Sequence, residues 1–63
     1  MSIVRQVGKY ILSYEALQRM YIVIHKKKQS LWFDNNTKDD LCVMNDNDFV
    51  KECKRFIKNS LVD

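Results

Sequence analysis

Apolar positions in the first part of the chain recur at alternating spacings of four and three: Ile3, Val7, Tyr10, Tyr14, Leu17, Tyr21 and Ile24. Such spacing is the signature of a heptad seam and predicts an N-terminal helix. The pattern allows two endings. Either the helix continues through Ile24, or it stops near Arg19 and Tyr21-Ile22-Val23-Ile24 forms a strand, as its β-branched composition favours. Near the other end, Phe49, Cys53, Phe56, Ile57 and Leu61 fall on one helical face, with Lys51, Lys54, Arg55 and Lys58 on the other. Asn45-Asp46-Asn47-Asp48 supplies N-caps and places acids at the positive end of the dipole, so a helix is predicted from about Asp48 to Leu61.

The middle of the chain decides the class. Ser30-Leu31-Trp32-Phe33 and Leu41-Cys42-Val43-Met44 flank Asp34-Asn35-Asn36-Thr37-Lys38-Asp39-Asp40, a cluster rich in turn formers. This reads as a hairpin, to which Tyr21–His25 adds a third strand through Lys26-Lys27-Lys28-Gln29. The competing reading has Thr37 capping a short helix through Met44. The expected fold is therefore α+β: an N-terminal helix, a small antiparallel sheet of about three short strands, and a C-terminal amphipathic helix. The alternative is an all-α domain of three helices. Either way, residues 1–63 are expected to form one small domain.

Length sharpens this picture. A chain of 63 residues buries only about 60% of the surface that its unfolded form exposes, so domains of this size usually recruit a disulfide, a metal or a second subunit. The longest unbroken apolar run, Met20–Ile24, is too short for a secretory or membrane-spanning segment. The expectation is a cytoplasmic protein without membrane attachment, with Cys42 and Cys53 reduced and packed as small hydrophobes. Self-association then becomes the expected source of added stability.

Charge is unevenly distributed around a net value of +3. Arg5, Lys9, Arg19 and Lys26–Lys28 precede an acidic connector holding Asp34, Asp39, Asp40, Asp46 and Asp48, and Lys51, Lys54, Arg55 and Lys58 follow it. Two basic segments thus flank an acidic one, which suits self-association or a mixed-charge partner as readily as a polyanion.

Little in the chain can be assembled into a catalytic or cofactor site. His25 is the only histidine, and its plain reading is a boundary residue at the end of a strand or helix. The acids lie in the most polar part of the chain, where nothing pushes their pKa values apart for acid–base work. The lone Gly8 forms no phosphate loop, and two distant cysteines with one histidine fall short of a zinc site. Asp34-x-Asn36 begins like a calcium loop, but Lys38, Asp39 and Asn45 occupy positions that need a ligand, glycine and glutamate. No cofactor, no metal and no enzymatic activity are expected.

Binding surfaces remain. Lys26, Lys27, Lys28, Lys51, Lys54, Arg55 and Lys58 are suited to neutralising phosphates, with Trp32 as a stacking platform; the plain alternative is a solvated turn and helix face. The seam residues Ile3, Val7, Tyr10, Tyr14, Leu17 and Tyr21 combine apolar bulk with polar tips, as protein interfaces do, though an aromatic stripe at helical spacing also serves an ordinary core. The sequence is read as a small accessory or regulatory protein, of a kind common among phage and plasmid gene products. It is expected to act by binding a protein partner and to self-associate. A DNA-binding module using the basic clusters is the alternative.

Overall fold

The computed structural model describes residues 2–60 and has an α+β fold. Strands β1 (Ser2–Val7), β2 (Tyr10–Glu15), β3 (Met20–His25) and β4 (Lys28–Gln29) form an antiparallel meander in sequence order. Helices α1 (Asn35–Val43) and α2 (Asp46–Ser60) follow.

The expected α+β class holds, but the N-terminal segment is a pair of strands and not a helix. Its four–three spacing conceals two faces of period two. Tyr10, Leu12 and Tyr14 on β2 stand opposite His25, Val23 and Tyr21 on β3. This face receives the helices: Leu12 and Val23 join Leu41, Phe49, Cys53 and Ile57 in the buried core, with Val7, Tyr10, Tyr21 and Phe33 packed around it. Burying a side chain such as Leu12 or Phe49 contributes about 1.5–3 kcal/mol relative to its exposure. Val7 and Tyr10 are partners across a two-residue turn at Gly8-Lys9, and Leu17 lies in the β2–β3 loop.

The opposite face of the sheet carries Ile3, Ile11, Ile22, Ile24 and Met20, with Ser13 buried and donating to the Ser2 carbonyl. Among the described residues no helix crosses it. Past β4 the chain stays beside β3, since Ser30 and Val23 exchange hydrogen bonds, as do Phe33 and Tyr21. Leu31 and Trp32 both fall between these pairs, opposite Ile22, and so form a bulge.

The expected hairpin around Asp34–Asp40 does not form. Asp34 instead caps α1 by accepting from the Thr37 amide at 3.1 Å. The competing helix through this region is therefore closer, with the cap three residues before Thr37. α2 follows expectation, with Asn45 accepting from the Asp48 amide at 2.8 Å and Phe49, Cys53 and Ile57 buried along one face. Leu61, assigned to that face from the sequence, lies outside the described residues.

One buried-side contact ties sheet to helices. α1 has no basic residue in its last turn, so its carbonyls need outside donors. Arg5 of β1 provides them: its Nη1 donates to the carbonyls of Leu41 at 2.8 Å and Met44 at 2.6 Å. Its Nη2 meets Asp46 Oδ1 at 3.0 Å, and the guanidinium lies 4.6 Å from the centre of the Phe49 ring.

Candidate anion-binding site

The β1–β2 and β3–β4 turns lie at the same end of the sheet, because Val7 pairs with Tyr10, Tyr10 with His25, and His25 with Lys28. That register brings Lys9, Lys26 and Lys27 to one edge. It also places Tyr10, His25 and Lys28 in a row on the face toward α2. The Tyr10 and His25 rings stack with centroids 4.0 Å apart and planes 11° apart. Lys54 and Lys58 stand one helical turn apart on α2 and flank the buried Ile57.

Together these residues form a cavity of about 330 Å³ lined by Tyr10, His25, Lys28, Lys54, Ile57 and Lys58. A neighbouring concavity of about 420 Å³ is lined by His25 and Lys26–Lys28. His25 and Lys28 are common to both. The floor is aromatic and aliphatic, and the rim is ammonium. Among the described residues, no carboxylate forms an ion pair with these lysines.

His25 reports the field. Desolvation, then repulsion from Lys26, Lys9, Lys28 and Lys54, lowers its pKa below the ordinary 6.5. A neutral imidazole is a donor at one nitrogen and an acceptor at the other; protonation turns both into donors and adds a cation.

The β3–β4 turn is also strained. Gly8, first of its two turn residues, has φ +60, a region that glycine enters freely. Lys26 holds the same place in its own turn with φ +57, a conformation that disfavours a side chain by about 1–2 kcal/mol.

The two lysine clusters read from the sequence are thus partly united. Lys26, Lys27, Lys28, Lys54 and Lys58 converge, whereas Arg55, Lys51 and Trp32 do not line the site. Arg55 turns away, holding Glu52 through two hydrogen bonds of 2.9 Å and lying 5.0 Å over Phe56. That bond lowers the Glu52 pKa and raises that of Arg55. Trp32 is exposed on the segment after β4.

The helical seam also dissolves. Val7, Tyr10 and Tyr21 pack on the core, Tyr14 tilts against Tyr21 at 4.9 Å, and Ile3 and Leu17 project separately into solvent. Tyr10 instead belongs to the basic cavity, with His25 and Ile57, and Lys9 acts on His25 from the adjoining turn; the sequence singled out none of His25, Ile57 and Lys9 as binding residues. The Gly8-Lys9 dipeptide, a fit for a two-residue hairpin turn, is the signal that leads to them.

Burial pushes the Cys53 thiol up to about 12, so it serves the core and not chemistry. Cys42 is exposed and free. Among the described residues, no three His, Cys, Asp or Glu side chains are grouped to hold a metal, and no helix is long and apolar enough to cross a membrane. No family model, curated protein or solved structure matches the chain.

Proposed function

We propose that the chain is a non-enzymatic binding module whose basic end engages the phosphate backbone of nucleic acid. The observation that carries this reading is the convergence of Lys26–Lys28, Lys54 and Lys58 around His25, on which Lys9 of the neighbouring turn also acts, with no carboxylate paired to them among the described residues. Like charges gathered in this way repel one another in the free protein, and a polyanion relieves that repulsion while releasing its own counterions.

The test is binding to generic duplex DNA across a salt series. Tight binding at low salt is expected, with the logarithm of affinity falling steeply as the logarithm of salt rises. Replacing Lys26, Lys27 and Lys28 by Ala flattens the slope by about 2–3, roughly one unit per lost phosphate contact. Undetectable binding at low salt overturns the proposal.

A second reading, association with a protein partner, gains support from a different surface. Exposed Ile3 and half-buried Ile11, Ile24 and Met20 surround the buried Ile22 on a sheet face that no described helix crosses. A second copy presenting the same face would bury it without opposing the lysine clusters. Sedimentation over a concentration series tests this: a dimer that Ile11→Lys converts to monomer is expected, and a strict monomer at high concentration contradicts it.

A further inference from the structure

Backbone neutralisation requires only cations, yet the cavity beside α2 offers more. Its floor consists of the stacked Tyr10–His25 pair and the Ile57 side chain, and its rim of Lys28, Lys54 and Lys58. We infer that this cavity seats one nucleotide of a single strand, its base against the Tyr10–His25–Ile57 floor and its phosphate among the three ammonium groups. The inference rests on the nucleic-acid reading above and names which form of nucleic acid the site prefers.

Size and composition both point this way. A volume of about 330 Å³ is at the small end of ligand-sized cavities, which run from about 300 to 1,000 Å³. It has room for one splayed nucleotide but not for paired bases, which remain stacked inside a duplex unless they are flipped out at an energetic cost. Single strands present their bases freely, and every base has a face that packs on an aromatic or apolar platform. The neighbouring concavity of His25 and Lys26–Lys28 continues the cationic track, so the adjoining phosphate has a place to lie.

The state of His25 fits the same role. The charged groups acting on it are Lys26, Lys9, Lys28 and Lys54, and among the described residues no carboxylate opposes them. These charges favour the neutral ring, which can pack beneath a base and exchange hydrogen bonds at its edge. A phosphate among the lysines screens that repulsion.

The experiment compares three probes of equal length at one salt concentration: a mixed-sequence single-stranded DNA, its duplex, and an abasic strand with the same sugar-phosphate backbone. The base-bearing strand is expected to bind about tenfold more tightly than the abasic one, the scale of a single stacked base, and more tightly than the duplex. His25→Ala removes most of the advantage over the abasic strand. Lys54→Gln weakens binding to base-bearing and abasic strands alike. Circular dichroism of both variants establishes that they are folded, and a His25→Phe variant that keeps a ring is expected to retain the advantage if His25→Ala proves unstable. Equal affinity for base-bearing and abasic strands overturns the nucleotide seat and leaves backbone binding intact. Absence of binding to all three overturns both.

Discussion

Two cationic regions of this small protein put their charge to opposite uses. Arg5 projects from β1 into the junction of the two helices, where backbone carbonyls of Leu41 and Met44, the Asp46 carboxylate and the Phe49 ring satisfy it. The lysines of the turn end and of α2 converge with no such partner among the described residues. A satisfied cation stabilises the fold, because removing it strands the groups that it served. Clustered cations repel one another in the free protein, which is the ground for proposing an external anion as their partner.

Breaking each region separately should give opposite signatures. Arg5→Ala is expected to have the largest effect on stability, about 3 kcal/mol, since it uncaps α1 and leaves Asp46 without its partner. In a domain of this size that shift is a large fraction of the total. Chemical denaturation should show it, and Arg5→Lys should recover only part, because a single ammonium does not reproduce the guanidinium fork. The change of Lys26, Lys27 and Lys28 to Ala should leave the denaturation midpoint the same or higher while lowering affinity for DNA by about a hundredfold at low salt. If instead the lysine variant unfolds and Arg5→Ala does not, the division between the two regions is wrong.

The two turns sharpen the contrast further. Gly8 and Lys26 hold equivalent places with φ +60 and +57. No atom lies within 4 Å of where a Gly8 side chain would start, so only backbone strain opposes Gly8→Ala. It should lose about 1 kcal/mol, and Lys26→Gly should gain about the same while weakening DNA binding a few-fold.

Acidity gives the smallest effect. The pKa of His25 is depressed in the folded chain, so the folded state takes up its proton later than the unfolded state does. The stability associated with the neutral ring is complete above about pH 6.5 and is lost as pH falls through the folded-state pKa. Affinity for a polyanion should move the other way, rising a few-fold between about pH 7.5 and 5.5, and His25→Ala should abolish that rise.

The sequence displayed some of this and concealed the rest for physical reasons. α2 was legible because Phe49, Cys53 and Ile57 keep helical spacing behind the Asn45 cap. The strands were not. Both faces of β3 are apolar apart from His25, which erases the alternation that marks a half-buried strand, and in β2 the run Tyr10-Ile11-Leu12 blurs it. Across the Gly8-Lys9 turn, Val7 and Tyr10 are three apart and mimic a helical step although they are cross-strand partners. The acidic connector read as a turn because Asp, Asn and Thr favour caps and turns alike, and only the bond from the Thr37 amide to Asp34 distinguishes them.

At the site, the individual lysines were visible but their meeting was not. It depends on the register that pairs His25 with Lys28 and on which side of α2 meets the sheet. The separation of Arg55 from Lys54 depends on the contacts of Arg55 with Glu52 and Phe56. The first of these is readable at a spacing of three, and the second only from the folded chain.

The central claim is that the unsatisfied lysines form the binding surface. Its most direct test follows backbone amide resonances of the isotopically labelled protein as a single-stranded oligonucleotide is added. The account predicts shifts concentrated at Lys9–Tyr10, His25–Lys28 and Lys54–Lys58, with Arg5 and the α1–α2 junction unmoved. Shifts centred on Trp32, on Arg55 or on the open sheet face, or none at saturating concentrations, would contradict it.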